Sequence, residues 1–403
     1  MDKAAFYREA RNDVPGPLAG IVVVEATTTW AGPMAGCVLA DFGATVIKVE
    51  HPEGEIMRKL PPFVPGTRLS VMQEVVNRNK QNLSLSLKDP EGKEIFLQLC
   101  RGADIVIENF KPGTLAGWGV GYEDVRAVKP DIVYVSISGF GQFGPYSDRP
   151  GYDPIAQNFT GWASLNGDPA GAPTKAPTFL GDDLGGLHGA LGAMGALLHR
   201  QRTGEGQHVD VALTDGLIFQ SNGWLTIGAM GLPTERWGNQ FAVAAPVNSY
   251  VCTDGRVFAG VLLDSHWKTY CAHIGREDLA SLNGAERIQR RAEVDQIFAQ
   301  WCVTRSTREV VDTLNSLGLA VTRVNTFAES AQDEHVKARD MLQPTRLNDG
   351  SEIPLTGPAA KFSRTPTRVR SPAPDIGQHT ESWLQRLGYT AEQIAGLRSR
   401  GIV

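Results

Sequence analysis

Short apolar segments alternate with amphipathic segments along the first two hundred residues of the chain. The apolar segments are rich in β-branched residues, which favours strands, and the segments between them have the periodicity of helices. The predicted strands are Ile21–Val24, Thr45–Val49, Asp104–Ile107, Ile132–Ile137 and Gln207–Ala212, and the predicted helices include Pro33–Phe42, Glu91–Cys100 and Asp182–Arg200. Strands that are apolar on both faces are typical of buried parallel sheets. The pattern therefore predicts an α/β fold with a parallel sheet covered by helices.

Two features stand out against this regular pattern. Pro145–Phe179 is rich in Gly, Pro, Asn and Asp, and predicts a long loop with a short helix near Tyr152–Thr160. Loops of this length in a compact domain usually have a function. The helix that follows contains five interior glycines, each of which lowers its helix propensity by about 1 kcal/mol relative to Ala. We therefore expect other atoms to approach this helix closely at Gly185, Gly186, Gly189, Gly192 and Gly195.

The periodicity changes in the second half of the chain, which indicates a second domain. Asn248–Val261 has the pattern of a β-hairpin around Thr253-Asp254-Gly255, and helical patterns follow it. A chain of 403 residues usually divides into more than one core. We predict a large domain formed by residues 1–225 and 336–403, and a smaller α/β domain formed by residues 226–335.

Composition and charge argue against several classes of protein. Hydrophobic residues make up 42% of the chain and charged residues 21%, as in ordinary globular proteins. The formal net charge of −5 argues against a nucleic-acid-binding surface. No segment approaches the roughly 20 continuous apolar residues of a transmembrane helix, so we expect no membrane association. Residues 1–15 lack an apolar export segment, and the protein is therefore expected in the cytoplasm.

Three features that could indicate other chemistries are incomplete. Gly139–Gly144 has the GxGxxG spacing and follows a strand, but Pro145 and Pro150 stand where a dinucleotide site needs a helix N-terminus. The five cysteines form no CxxC pair and the eight histidines no ligand motif, so neither disulfides nor a metal are expected. The chain has no GxSxG motif, which disfavours a serine hydrolase.

Asp182 and Asp183 stand at the start of the glycine-rich helix, and two interpretations are open. Asp is a favoured N-cap residue, and a cap contributes about 1 kcal/mol to helix stability. Alternatively, backbone N–H groups and the helix dipole keep one of these carboxylates ionised as a nucleophile, and stabilise an oxyanion formed beside it. The neighbouring glycines would let a substrate thioester approach the backbone.

A set of short motifs, each weak alone, becomes specific in its order along the chain. The motifs are Ala31-Gly32-Pro33, Gly43-Ala44, Val46 to Glu50, Asn79-Lys80 with Leu87-Lys88, Glu108-Asn109-Phe110-x-Pro112-Gly113, Gly139 to Pro145, Pro150-Gly151-Tyr152-Asp153, Gly181-Asp182 with Gly186, and Arg202-Thr203-Gly204-x-Gly206-Gln207. Together they resemble the class III CoA-transferases, the family of formyl-CoA:oxalate and carnitine CoA-transferases, over nearly the whole chain. The resemblance implies a Rossmann-like large domain, a smaller α/β domain and an interlocked dimer in which each chain threads through the other.

The resemblance also implies a catalytic residue and a mechanism. Asp182 occupies the Gly-Asp-x-x-x-Gly position of the family and would be its catalytic aspartate. In that chemistry the aspartate attacks an acyl-CoA to give a mixed anhydride, and the released CoA thiolate then forms an aspartyl-CoA thioester. The acceptor acid reverses these steps. The substrates are acyl-CoA thioesters and carboxylic acids, and no permanently bound cofactor or metal is implied.

Position by position, the resemblance implies a CoA-binding site. Its residues would be Trp30, Ala31, His51, Lys80, Asn109, Phe110 and Tyr152. Some relatives have Arg where this chain has His51, Gln81 and Gly117. We therefore expect other basic residues to contact the CoA phosphates, with Arg58, Arg78 and Arg149 as candidates.

Two alternatives to a transferase are considered. The α-methylacyl-CoA racemases of the same superfamily have Gly-His-Asp where this chain has Gly151-Tyr152-Asp153, and tyrosine is a poor base at neutral pH. A noncatalytic partner subunit that merely binds CoA would have no need of an intact Asp182. We therefore favour a transferase, either a homodimer or a heteromer with a paralogous subunit.

The identity of the acids is the least constrained expectation. Succinyl-CoA is the favoured donor, because Arg58 and Arg68 lie in a cationic segment that would suit a second carboxylate. Four aromatic residues could form an apolar wall for a bulky acceptor, namely Trp30, Phe63, Phe159 and Trp162. An aryl-substituted succinate is accordingly the predicted acceptor.

Overall fold

The computed structural model describes all 403 residues, which form two compact units. One unit comprises Met1–Trp162, Lys175–Leu232 and Lys337–Val403, and the other comprises Ala163–Thr174 and Pro233–Val336. The divisions after residues 232 and 336 lie close to those predicted after residues 225 and 335. The assignment of residues 163–174 to the smaller unit was not predicted, because these residues belong to the long loop that has no hydrophobic periodicity.

Eleven strands form three sheets. The strands are β1 Val22–Ala26, β2 Thr45–Glu50, β3 Gln81–Ser84, β4 Ile105–Glu108, β5 Val133–Ser138, β6 Gln207–Ala212, β7 Val247–Cys252, β8 Gly255–Gly260, β9 Ala320–Arg323, β10 Leu342–Arg346 and β11 Glu352–Thr356. The six-stranded sheet has the order β3-β2-β1-β4-β5-β6, and every pair in it is parallel. This is the strand order of the Rossmann fold, so the predicted fold class is confirmed.

Nineteen helices and two 3₁₀ turns connect these strands. The helices are α1 Lys3–Phe6, α2 Ala31–Asp41, α3 Val71–Asn77, α4 Pro90–Arg101, α5 Thr114–Trp118, α6 Tyr122–Val128, α7 Asp153–Phe159, α8 Trp162–Leu165, α9 Leu180–Thr203, α10 Leu213–Phe219, α11 Trp224–Ala229, α12 Asp264–His273, α13 Gly284–Gln289, α14 Arg291–Cys302, α15 Thr307–Ser316, α16 Phe327–Gln332, α17 Glu334–Ala338, α18 Thr380–Arg386 and α19 Ala391–Ser399, and the 3₁₀ turns are Ile56–Lys59 and Glu277–Leu279. None of the helices is long and apolar enough to cross a lipid bilayer.

Alternate residues of the parallel strands enter two different cores. On one face, Val23 and Val135 pack with residues of α2, α9 and α10. On the other face, Val24 and Tyr134 pack with residues of α4 and α6, and with α18 and α19 from the C-terminal segment. Because both faces are covered, the central strands carry apolar residues on both faces, as the sequence pattern predicted, although they also bury charged residues such as Glu25 and Lys48.

The glycines of α9 allow neighbouring elements to approach it closely. A Cβ atom added to Gly186 would lie 2.7 Å from Met34 Cβ and 2.8 Å from the carbonyl oxygen of Ala31, both on α2. Added Cβ atoms would also meet side chains within 3 Å at Gly185, Gly189 and Gly192. The prediction is therefore confirmed at four of the five positions. It is wrong at Gly195, where an added Cβ would meet nothing within 4 Å.

The smaller unit contains the predicted hairpin and its helices. β7 and β8 are antiparallel, and β9 pairs with the other edge of β8. Aromatic residues of the covering helices, including Trp267 and Phe298, pack against these strands in a separate core. The predicted hairpin at Asn248–Val261 is therefore confirmed, with its turn between Cys252 and Gly255.

Candidate active site

Two carboxylates lie in the first turn of α9. The helix begins at Leu180, and Phe179 occupies the N-cap position without a side-chain hydrogen bond. The N-cap interpretation of Asp182 and Asp183 is therefore wrong, since both residues are already inside the helix. The pKa of Asp182 is raised to about 7, mainly by burial and further by the nearby carboxylates of Asp153 and Asp183. The surroundings of Asp182 thus disfavour its ionised form, whereas the sequence had suggested that the helix keeps it ionised.

Asp153 connects this turn to α7. Its buried carboxylate accepts a hydrogen bond from the Gly181 amide at 2.7 Å, so Asp153 satisfies one of the free N–H groups at the helix start. Both of its oxygens also accept from Gln157 Nε2 at 2.9 Å. The Gln157 Oε1 atom in turn accepts from the Ala176 amide at 2.7 Å. Asp153 and Gln157 therefore hold the segment that leads into Asp182.

The turn after β1 also contacts the pair of carboxylates formed by Asp182 and Asp183. Trp30 Nε1 donates to Asp183 Oδ1 at 2.6 Å, and the Trp30 ring packs edge-on against Phe179. Burial raises the pKa of Asp183, and this hydrogen bond opposes the rise. Trp30 thus lies at the carboxylates themselves, and Ala31, which begins α2, is buried beneath α9.

Asn109 holds the same turn from the end of β4. Its Oδ1 atom accepts from the Thr28 amide at 2.9 Å, and its Nδ2 atom donates to the Thr28 carbonyl at 2.8 Å. β1 and β4 are the neighbouring strands from which the chain continues in opposite directions across the sheet. Ligands of doubly wound sheets bind at the carboxyl ends of such strands. The structure therefore brings Trp30 and Asn109 together at the expected place.

Two adjoining cavities lie on either side of Phe110. One has a volume of about 250 Å³, and its wall includes Thr28, His51, Lys88, Phe110 and Trp118. The other has a volume of about 210 Å³, and its wall includes Asn109, Phe110, Ser147, Arg149 and Tyr152. Four of the predicted CoA-binding residues therefore line these cavities, namely His51, Asn109, Phe110 and Tyr152.

Lys80 is not among these residues. Its side chain is fully buried, and its ammonium lies 2.9 Å from Glu25 Oε2, 2.7 Å from the Pro33 carbonyl and 2.9 Å from Asn77 Oδ1. All three donor positions of the ammonium are thus occupied inside the protein. This geometry argues against the predicted contact between Lys80 and CoA.

The exposed Lys88 lines one of these cavities but was not among the predicted site residues, although Leu87-Lys88 belongs to the motifs of the family. Its Nζ atom lies 5.3 Å from the ring centroid of Trp118, in the wall of the larger of the two cavities. The position of Lys88 in the segment after β3 was a usable signal, since ligands of doubly wound sheets bind beyond the carboxyl ends of the strands.

The three arginines proposed for the CoA phosphates differ in what they contact. Arg58 makes two hydrogen bonds to the Glu50 carboxylate at 2.7 and 2.8 Å. Arg78 pairs with Asp41, at 2.6 Å for the shorter contact. Arg149 instead stacks on the Tyr146 ring at 3.6 Å and has no carboxylate within ion-pair distance. Arg149 is therefore the candidate that can still accept an anionic ligand.

The glycine segment after β5 has no helix directly behind it. Gly141 and Gly144 have positive φ angles, and the next helix is α7, which begins at Asp153. A Cβ atom on Gly139 would lie 2.6 Å from the Cα atom of Gly151, so these glycines let two loops cross. No group of three or more His, Cys, Asp or Glu side chains is placed to hold a metal ion.

Comparison with known proteins identifies the family. The sequence profile of CoA-transferase family III matches residues 18–380. The beta subunit of succinyl-CoA–L-malate CoA-transferase from Chloroflexus aurantiacus is 35% identical over 401 residues, which cover 96% of this chain and 98% of that protein. The succinate–glutarate CoA-transferase of Agrobacterium fabrum is 36% identical over 385 residues, which cover 92% of this chain and 96% of that protein.

A solved structure agrees with the sequence relatives. The crystal structure of a CAIB/BAIF family protein from Brucella suis superposes with a TM-score of 0.82 at 31% identity, over 93% of this chain and 100% of that chain. The chain belongs to CoA-transferase family III. It is a class III CoA-transferase, as its motifs implied.

Proposed function

We propose that this protein transfers CoA from succinyl-CoA to a short dicarboxylic acid through covalent intermediates on Asp182. The observation that carries the proposal is the position of Asp182 in the first turn of α9 beside Asp183, which contacts Trp30 in the turn after β1. The Asp182 carboxylate is buried near the carboxylates of Asp153 and Asp183, which disfavours its negative charge. Conversion to a mixed anhydride or a thioester removes this charge, which favours the formation of a covalent intermediate.

The proposed reaction consists of two exchanges that mirror each other. Ionised Asp182 attacks the thioester carbonyl of the donor, the C–S bond breaks, and CoA leaves as a thiolate. The thiolate then attacks the aspartyl carbonyl of the mixed anhydride, so that succinate is released and an aspartyl-CoA thioester remains. An acceptor carboxylate attacks this thioester, and the thiolate returns to the acyl group of the acceptor. Every bond that breaks is replaced by one of similar energy, so no metal or redox partner is required.

The two cavities beside Phe110 are the proposed CoA site. The wall of the first cavity carries His51 and the exposed Lys88, which can contact phosphate, and the Phe110 and Trp118 rings can contact the apolar part of the ligand. Arg149 in the second cavity supplies a further cation. The turn Thr27–Trp30 joins the first cavity to the carboxylates, because Thr28 lines the cavity and Trp30 contacts Asp183.

Succinyl-CoA is proposed as the donor, and a C4 or C5 dicarboxylate as the acceptor. Both sequence relatives have names that contain a succinyl or succinate group, and they differ in the second acid, which is malate in one and glutarate in the other. The predicted aryl-substituted succinate is a finer proposal with less support. Two of the four aromatic residues predicted to form a wall for the aryl group already pack against other parts of the protein. Trp162 donates its indole N–H to the Leu217 carbonyl and packs against the core, and Phe159 packs against Phe140 and Tyr146.

We also propose that the active protein is an interlocked dimer, either of identical chains or with a paralogous subunit. Leu187, Leu191 and Leu198 lie on one exposed face of α9, and Phe219 of α10 is 76% exposed. A contiguous exposed apolar helix face commonly marks a protein interface. The relative from Chloroflexus aurantiacus is named as a beta subunit, which is why a heteromer is included.

A substrate screen tests the proposed function. Purified protein is incubated with succinyl-CoA, acetyl-CoA or formyl-CoA and with malate, glutarate, benzylsuccinate, oxalate or carnitine, and new acyl-CoA products are measured by mass spectrometry. We expect succinyl-CoA to be the preferred donor and a C4 or C5 dicarboxylate the preferred acceptor. Preference for oxalate or carnitine would contradict the proposed substrates. Unchanged transfer by Asp182→Ala would contradict the proposed nucleophile.

A further inference from the structure

Glu55 lies beside the turn that carries Trp30, although it is distant from this turn in sequence. It follows the end of β2, begins the 3₁₀ turn Ile56–Lys59, and is buried. Its Oε2 atom accepts a hydrogen bond from the Thr29 amide at 2.8 Å. Its Oε1 atom lies 3.0 Å from Lys48 Nζ, and the Lys48 side chain is fully buried. The carboxylate is therefore fixed on one side by an ammonium and on the other by a backbone amide.

Thr29 has an unfavourable backbone conformation that requires such support. Its φ angle is 61°, in the left-handed region that β-branched residues rarely adopt. A residue held there costs of the order of 1–3 kcal/mol, and it persists only where surrounding contacts enforce it. Asn109 fixes the preceding residue, Thr28, and Lys48 donates to the Thr27 carbonyl at 3.0 Å. The Thr29 amide itself donates its hydrogen bond to Glu55.

The next residue in the chain is Trp30, which contacts the carboxylate pair. The left-handed turn at Thr29 sets the direction in which Trp30 enters α2, and Trp30 Nε1 donates to Asp183 Oδ1 at 2.6 Å. The hydrogen bond from Trp30 favours the ionised form of Asp183, while Asp153 opposes it. A change in the turn would therefore alter the charge around Asp182 as well as its geometry.

We propose that Glu55 is a positioning residue for the transfer reaction: it holds Thr29 in the left-handed conformation so that Trp30 donates to Asp183 beside the nucleophile. Glu55 acts through the backbone of Thr29 and does not react itself. The proposal rests on the assignment of Asp182 as the nucleophile. It adds a function for a buried carboxylate that also lines the first cavity.

Two variants break the same hydrogen bond from opposite sides. Glu55→Ala removes the acceptor, and Thr29→Pro removes the donor and fixes φ near −65° while leaving the buried pair of Glu55 and Lys48 intact. Thr29 is exposed, so its variant provides the test if Glu55→Ala does not fold. The matched control is Glu53→Ala, which removes an exposed carboxylate two residues away.

Steady-state kinetics and covalent labelling are measured for Glu55→Ala, Thr29→Pro and Glu53→Ala, and for a double variant that combines Glu55→Ala with Thr29→Gly, because glycine adopts the left-handed conformation without strain. We expect Glu55→Ala and Thr29→Pro to lower kcat by about 10- to 100-fold, as displacements of about 1 Å in an active site do. The acid limb of the pH–rate profile, which reports the ionisation of Asp182, should move to lower pH in both, because Asp183 without its donor is less ionised and its charge then raises the pKa of Asp182 less. Glu53→Ala should stay within about twofold of the wild type, since its carboxylate is exposed and the Thr29 amide donates to Glu55 instead. Adding Thr29→Gly to Glu55→Ala should restore part of the lost kcat.

The outcomes separate this proposal from the proposed function. If wild-type protein incubated with acyl-CoA carries label on Asp182 and Thr29→Pro is labelled equally fast, the role of Glu55 is refuted. A loss that appears only in KM, with an unmoved acid limb, also refutes it, since that pattern indicates damage to the cavity wall alone. If the wild type carries no label on Asp182, the nucleophile assignment fails independently of Glu55.

Discussion

Replacement of Gly186 by Ala tests the contact between α9 and α2 that places Asp182 near Trp30. The added Cβ atom would lie 2.7 Å from Met34 Cβ and 2.8 Å from the Ala31 carbonyl oxygen, whereas ordinary contacts begin at 3.4 Å. The two helices must therefore separate by about 0.7 Å at this point, since neither a backbone carbonyl nor a Cβ atom can rotate away.

The magnitude follows from two opposing contributions. Overpacking of a filled core costs about 1–3 kcal/mol, and the backbone contact places this case in the upper half of that range. Replacing a helical Gly by Ala contributes about 1 kcal/mol of stability through helix propensity. The net result is a decrease of about 1–2 kcal/mol in the free energy of unfolding. Because Ala31 directly follows Trp30, kcat should also fall, by about tenfold or more.

Gly195→Ala is the matched control on the same helix. It makes the same chemical change where an added Cβ meets no atom of its own chain within 4 Å, so within one chain only the gain in propensity remains, and stability should rise by about 1 kcal/mol. Both variants are unfolded in urea at equal protein concentration, and kcat is measured in parallel. Equal stabilities of the two variants, or a Gly186→Ala variant as active as the wild type, would refute the reasoning.

Further predictions concern the charges at the site. Folding raises the pKa of Asp182 from 3.8 to about 7, so the ionisation of Asp182 lowers the free energy of unfolding as the pH rises between these values. In urea titrations, Asp182→Asn should therefore be more stable than the wild type at pH 8, and the difference in stability should shrink towards pH 4. Trp30→Phe removes the donor that favours ionised Asp183, so that Asp183 raises the pKa of Asp182 less, and the acid limb of the pH–rate profile should move to lower pH. Lys80→Met leaves the buried Glu25 carboxylate with only the more distant ammonium of Lys48, at 3.5 Å, and should cost about 3 kcal/mol of stability. Lys88→Ala should instead raise KM for succinyl-CoA while the urea midpoint stays the same. Equal effects of the two lysine variants on KM would contradict the assignment of Lys80 to the buried ion pair and of Lys88 to the CoA site.

The parallel sheet and the position of the active site could be predicted because both depend on local sequence. The apolar runs at β1, β2, β4 and β5 have the length and composition of buried strands, and consecutive βαβ units allow essentially one handedness of connection. Their carboxyl ends then meet at one edge of the sheet, which is where Trp30 and Asn109 lie. The glycines of α9 were informative for the same reason, since their cost in a helix requires a compensating contact.

Pairings between distant residues could not be predicted in this way. Lys80 precedes a strand in a motif of the family, and only the fold shows that its ammonium is neutralised by Glu25, which is 55 residues earlier. Likewise, the first turn of α9 begins before Asp182 because Asp153, from another helix, satisfies the Gly181 amide. The contact between Glu55 and Thr29 is of the same kind, because its partners belong to the ends of different strands.

The most direct test of the account is to locate the covalent intermediate. The wild-type protein and Asp182→Asn are incubated with succinyl-CoA, treated with hydroxylamine, digested, and analysed by mass spectrometry. The account predicts a hydroxamate on Asp182 in the wild type, none in Asp182→Asn, and loss of the label when an acceptor acid is added before hydroxylamine. A label on Asp183, Asp153 or another carboxylate, or transfer of CoA without any labelled carboxylate, would contradict it.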